Sequence, residues 1–251
     1  MLLIKRKKSL LTIGEVFFPD QSENVKINDC DILIITQQAT ETKGSKKYNT
    51  LHIDLTKNED ILKSELKKNT RNEISRCEKK DELKILITDQ PTSLQLSNFI
   101  KFYKIFSKVR KLPDANKDKL ISLQNKNGLA LGVIENTAGD VLVMHAYIIS
   151  NKRARLLYSA SLHVNTYDKK TKSLIGRSNR RLHWEEIIFY KRKKFDIYDF
   201  GGLSLSDSKT LSQIDKFKLG FGGKIIAEYN EKIGVSMIGK IILLMYKALK
   251  N

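Results

Sequence analysis

Asp215 to Gly223 reads DKFKLGFGG, and YDFGG stands shortly before it at Tyr198–Gly202. The two Gly-Gly pairs take four of the chain's 13 glycines and bracket a short amphipathic segment. FDIYDF before the first pair and KIIAEY after the second have strand character, while TLSQIDKFKLGF between them has helical spacing. The order is therefore strand, Gly-Gly, helix, Gly-Gly, strand, with Lys218 held between Phe217 and Phe221. A glycine pair at a strand end permits a tight turn or the close approach of a ligand. Phe217 and Phe221, four apart, also form an ordinary core pair, beside which a lysine can snorkel to water.

Working outward from that stretch, the three segments GLALGVIE (128–135), VLVMHAYIIS (141–150) and ARLLYSASL (154–162) are strands separated by short polar turns, which predicts an antiparallel meander. Two helices precede it, Ser93–Val109 and a shorter one after Pro113, and a helix over roughly 175–193 follows. Nearer the N-terminus, residues 10–18, 31–39 and 50–55 read as short strands and LKILIT (83–88) as another. Thr56 and Glu59 form a capping-box pattern that predicts one long helix to about Lys80, with Leu62, Leu66, Ile74 and Cys77 on its apolar face. The tail from Val235 sets Ile238, Ile241, Ile242, Met245 and Leu249 against lysines. That is a basic amphipathic helix, suited either to packing on the domain or to lying on a membrane surface.

Composition bounds the function. The chain has 251 residues, 46 Lys and Arg against 28 Asp and Glu, and a formal charge of +18. Such a balance attracts polyanions: RNA, an anionic membrane face or a phosphate-rich carrier. The lysines are spread along the whole chain, as they also are in sequences simply biased towards Lys, Asn and Ile. Cys30 and Cys77 match no metal or redox spacing and read as apolar filler. The four histidines lie too far apart in sequence for a metal motif, so no metal is expected. Neither a targeting segment nor a membrane span is expected, because the longest apolar run, Ile241–Tyr246, is far short of the roughly 20 residues a span needs.

The element order over 93–230 matches the acetyltransferase (GNAT) fold. More narrowly, TLHIDLTKNEDILKSELKKNTRNEISRCEKK, RARLLYSAS, IGRSNRRLHWEEIIFYKRKKFDIYDFGG and IDKFKLGFGG, in that order, resemble the Fem-type peptidoglycan-bridge aminoacyltransferases. They resemble still more the single-domain relatives of those enzymes, often associated with cell-surface polysaccharide synthesis. The resemblance implies an α/β protein with a mixed, mostly antiparallel acetyltransferase-like sheet flanked by helices. It divides the chain into a reduced N-terminal β/α lobe (1–90), an acetyltransferase-like domain (91–232) and a basic C-terminal helix (233–251). Full Fem proteins carry two such domains, and residues 1–90 are too short for a second copy.

The implied activity is transfer of an acyl or aminoacyl group from acyl-coenzyme A or aminoacyl-tRNA to an amine of an amino sugar or a cell-envelope glycan or peptide precursor. The implied setting is cytoplasmic, on or near the inner face of a membrane. Lys218 corresponds to the family lysine that stabilises the oxyanion. Asp199 is the candidate base, or a turn residue bonding its own backbone, and Tyr158 a candidate hydroxyl at the reacting centre. Ser159, Ala160 and Ser161 on the cleft strand, with Ile175, Gly176, Arg177, Ser178 and Arg180 at an expected helix start, are candidates for holding the carrier. A helix N-terminus there would offer free N–H groups to phosphate, and the alternative is a basic solvated helix start. The Gly-rich pyrophosphate loop usual in this fold is not intact. His145 reads either as a satisfied core histidine or as a substrate contact, alongside Phe217, Gly201 and Gly202. Trp184 reads as core, and Glu185 and Glu186 as solvated. The competing reading is a non-enzymatic basic module that binds RNA or a membrane surface.

Overall fold

The computed structural model describes residues 1–19, 27, 29–162, 168–204 and 213–249. Among these it has ten strands: β1 (Leu2–Lys8), β2 (Leu11–Phe17), β3 (Ile32–Gln38), β4 (Lys46–Asp54), β5 (Leu83–Thr88), β6 (Leu129–Asn136), β7 (Val141–Ser150), β8 (Arg153–Ser161), β9 (Ile197–Gly202) and β10 (Lys224–Gly234). The helices are α1 (Glu59–Glu65), α2 (Lys68–Lys80), α3 (Ser93–Arg110), α4 (Lys117–Asn125), α5 (Lys169–Arg192), α6 (Gln213–Lys218) and α7 (Met237–Ala248). A 3₁₀ turn, Leu219–Phe221, extends α6. The expected helix start at 210 and the loop residues 163–167 lie outside the described residues.

All ten strands join one sheet in the order β1-β2-β3-β10-β4-β9-β8-β7-β6-β5. The meander forms as expected, with β5 to β8 antiparallel. The N-terminal strands are threaded into the same sheet, because β4 lies between β9 and β10 and is antiparallel to both. LLIKRKK, which is not among the strands read from the sequence, is the edge strand β1: Ile4 is buried, while Lys5, Lys7 and Lys8 face water.

Two apolar layers cover the sheet. On one face α5 and the α1–α2 pair pack over Leu51, Tyr147, Trp184, Tyr198, Phe200 and Phe221. On the other, α3 and α4 pack over Phe17, Leu129, Leu131, Met144 and Ile148.

The single long helix predicted to Lys80 is two helices. Asn58, not Thr56, caps α1, accepting from the Ile61 N–H at 2.9 Å. Leu66 and Lys67 are extended, and the Lys67 N–H donates to the Gly220 carbonyl at 2.9 Å. The break thus makes a notch that receives the LGFGG turn. Gly222 sits there with φ 80°, where a Cβ would lie 2.8 Å from the Glu65 carbonyl oxygen. Gly223, at φ 83°, lies against the His52 carbonyl in the same way. The second glycine pair therefore answers to backbone packing.

Candidate active site

The sheet opens between β8 and β9. These parallel strands pair only at Arg153–Ile197, Ala154–Tyr198 and Arg155–Asp199, and β8 then continues from Leu156 to Ser161 without pairing to β9. Two local features part them. Ala146 pairs with Tyr158 but Tyr147 with Leu156, so Leu157 is an extra, bulged residue that bends β8 and leaves its peptide outside the ladder. On β9, Gly201 adopts φ 70°, and Gly202 passes under Tyr48, whose phenolic oxygen a Cβ would meet at 2.7 Å. The first glycine pair therefore lets Gly201 pass close to the Leu156 carbonyl of β8, 3.1 Å from where a Cβ would stand, and admits Tyr48 at Gly202. LLYSAS reads as an uninterrupted strand, so nothing local signals the bulge.

Lys218 lies at this opening. Its Nζ donates to the Gly202 carbonyl oxygen at 2.5 Å. Burial pushes its pKa down from the ordinary lysine value, while Asp215 and Asp199 pull part of the way back. Phe217 and Phe221 anchor the segment against His183 on α5, with ring centroids 5.6 and 5.4 Å away, so they form a core pair. Arg180 stacks over Phe217 at 5.0 Å. Arg155, which pattern analysis missed, donates to the Tyr48 hydroxyl at 2.9 Å beside the same glycines.

Other expected site residues fall elsewhere. Asp199 is fully buried, bonded to Thr50, ion-paired with Arg153 at 2.5 Å and accepting from Gln37 at 3.0 Å. Burial pushes its carboxyl up, but the charges of Arg153, His52 and Arg155 outweigh that and leave its pKa at about 2. A carboxylate so held is a poor proton acceptor, which takes Asp199 out of the role of base and into a structural cluster with Glu228.

Tyr158 turns to the α3 side, packing on Tyr103 at 4.8 Å and accepting from the Asn116 N–H at 3.1 Å. Ser159 pairs with His145 across β7, half-buried beyond the bulge, with Ser161 after it, and Ala160 is core.

The phosphate-binding helix start expected at 175–180 does not form there. α5 begins six residues earlier at Lys169, and Asp168 caps it by accepting from the Thr171 N–H at 2.6 Å. Ile175 and Ser178 are buried in mid-helix, and Arg177 forks onto Asp81 at 2.8 and 2.9 Å. Arg180 donates back to the Gly176 carbonyl at 3.0 Å. A helix interior has no free N–H groups, so this stretch cannot cradle phosphate through its backbone.

His145 is fully buried, its Nδ1 2.9 Å from Glu186 and its Nε2 3.0 Å from Asn179, so it is not a substrate contact. Glu186, read as solvated, is fully buried too and tucks against Gly132, where any Cβ would strike it. It accepts from Tyr147, whose hydroxyl lies 2.7 Å from that of Tyr198, which in turn reaches His183 Nδ1 at 2.6 Å. Burial, reinforced by His145, Lys218 and Arg180, holds the His183 pKa well below its usual value. His145, His183 and Glu186 bring potential metal-ligand atoms within 4.8 Å of one another, which their sequence spacing did not suggest. His145 Nδ1 is already bonded to Glu186, and His183 Nδ1 to the Tyr198 hydroxyl. A separate groove of about 450 Å³, lined by Leu86, Phe102, Ile105, Val133 and Met144, lies on the α3 side and includes none of the candidate residues.

A mixed sheet that parts between two parallel strands beneath a helix defines the acetyltransferase-like fold, and solved structures share it. The FemX crystal structure superposes with a TM-score of 0.62, covering 92% of this chain and 84% of that one at 12% identity. The C-terminal domain attributed to a lysylphosphatidylglycerol synthetase from Agrobacterium fabrum gives 0.58, covering 98% and 85% at 11% identity. L-PGS from Bacillus licheniformis gives 0.53, covering 85% and 71% at 13% identity. No family model matches the chain, and no curated protein matches it. At these identities the likeness establishes the fold alone.

Proposed function

We propose that this protein is an aminoacyltransferase that moves an aminoacyl group from a tRNA ester to an amine of an amino sugar or a lipid-linked envelope precursor. The amine nitrogen attacks the ester carbonyl, the C–O bond to the ribose breaks, and the proton lost by the amine ends on the departing hydroxyl. No covalent enzyme intermediate is needed. The observation that carries this reading is the half-buried Lys218 ammonium at the mouth of the β8–β9 opening, already bonded to one carbonyl oxygen, Gly202. A fixed cation there can bond the oxyanion that develops on the substrate carbonyl. The bulge at Leu157 and the half-buried Ser159 offer polar groups to the donor along the same opening.

Two features favour tRNA over acyl-coenzyme A as donor. The Asp168 carboxylate occupies the α5 N-terminus, where a pyrophosphate would otherwise bind. The exposed face of α2, with Lys67 before it and Lys68, Arg71, Arg76, Lys79 and Lys80 along it, borders the Lys218 segment through the Lys67–Gly220 bond. The similarity to FemX and to the lysylphosphatidylglycerol synthetase domains fits this choice.

The test compares aminoacyl-tRNA, acetyl-coenzyme A and longer acyl-coenzyme A species by native mass spectrometry and thermal shift. Salt-sensitive binding of aminoacyl-tRNA alone is expected. Binding of acyl-coenzyme A in its place, or of no donor at all, defeats the reading.

A further inference from the structure

The C-terminal helix shows its apolar side to water and is held that way. The Ser236 hydroxyl, 2.6 Å from Asp31 Oδ1, accepts from the Gly239 N–H at 3.1 Å. Gly239 lies directly on the Asp31 carbonyl with no room for a Cβ, and a Cβ on Gly234 would meet Lys240 Cα at 2.6 Å. These backbone contacts fix the rotation of α7. An amphipathic helix free to roll would turn its apolar stripe to the core. Here Gly239, Ile242 and Leu243 face inward, while Met237, Ile238, Ile241, Leu244 and Met245 are 53–72% exposed.

A second element meets this patch from distant sequence. Asp31 exchanges hydrogen bonds with Thr12, and Thr12 pairs with Lys7 across β1 and β2. The β1–β2 turn therefore lies at the same end of the sheet. It carries exposed Lys7 and Lys8, and Leu10 at its tip is 97% exposed. Exposed Lys232 and Lys240 complete a basic rim around the apolar surface.

We propose that α7 and the β1–β2 turn form a docking surface for an anionic lipid membrane. Apolar side chains projecting from a rigid base, rimmed by lysines, match an interface of acyl chains beneath anionic headgroups. A two-fold contact with a second copy would instead bring the same lysines of two chains, each at +18, against one another.

Vesicle flotation tests the docking without any turnover. The full chain is expected to float with vesicles of phosphatidylcholine containing phosphatidylglycerol, and much less with phosphatidylcholine alone or at high salt. The triple variant Ile241→Glu, Leu244→Glu, Met245→Glu, with circular dichroism unchanged, is expected to bind about tenfold or more weakly. The surface pair Lys7→Glu, Lys8→Glu is expected to lose the preference for anionic vesicles. Lys218→Ala is expected to float as the unaltered chain does, so an inactive transferase leaves the docking result standing. Failure of the unaltered chain to float overturns the proposal. So does a dimer in sedimentation velocity that the triple variant dissociates, which would make a second copy the occupant.

Discussion

Lys218 Nζ donates to the carbonyl oxygen of Gly202 at 2.5 Å, joining the short helix between the glycine pairs to the end of β9 at the point where the sheet parts. The bond explains why a lysine occurs within an aromatic segment. It also sets the first test. Lys218→Ala is expected to lower kcat by about 10²–10³, the cost of one oxyanion donor, while donor affinity and melting temperature change little. Burial lowers the pKa of this lysine, so the ammonium is lost at a lower pH than an ordinary lysine loses its proton. The alkaline limb of the rate profile should therefore fall below the usual lysine range. A variant that melts early but turns over normally would make the lysine structural.

Gly176→Ala separates the helix interior from the phosphate cradle. A Cβ there meets only Arg180 Nη1, at 3.7 Å, and the position lies inside α5. Alanine should stabilise the protein by about 0.5–1 kcal/mol in urea unfolding, with donor binding unchanged. Weaker donor binding would restore the cradle.

Gly223→Ala should do the reverse. With φ at 83° and the His52 carbonyl in the way, neither strain nor overlap is relieved by moving a side chain. A loss of about 2 kcal/mol or more is expected from the same unfolding curves, and a neutral result would mean the LGFGG turn does not seat in the notch as described.

Asp199 makes stability depend on acid. Its carboxyl has a pKa of about 2 in the folded chain against 3.8 for an unperturbed aspartate, so the unfolded chain binds the proton more readily. The contribution of about 2 kcal/mol is present above the unfolded value and is lost as pH falls from about 4 through about 2. Asp199→Asn should lack this limb in chemical unfolding measured across that range. The same limb in both proteins would assign it to other carboxylates.

Glu186→Ala removes the acceptor shared by His145 and Tyr147 and leaves both buried without it. A cost on the order of 3 kcal/mol is expected, with Glu186→Gln costing less. Equal and small losses would mean that water replaces the carboxylate, a result that unfolding titrations of both variants would reveal.

The order of elements over 93–230, the antiparallel meander and the arrangement of strand, helix and strand around Lys218 were all legible in the chain. Each rests on local chemistry: alternation of apolar side chains, polar turns, and glycine where the backbone must turn or pass close to another segment. The fate of the carboxylates was not legible. Asp199 and Glu186 look like any turn or helix-surface acid, because the groups that make their burial tolerable come from elsewhere, Arg153 46 residues away and His145 41 residues away. The same holds for the break at Leu66–Lys67, whose cause is Gly220, and for the bulge at Leu157. Periodicity reports which side of an element is apolar. Only the assembled sheet decides which polar groups meet inside it, since a buried charge is stable only where a distant partner arrives to meet it.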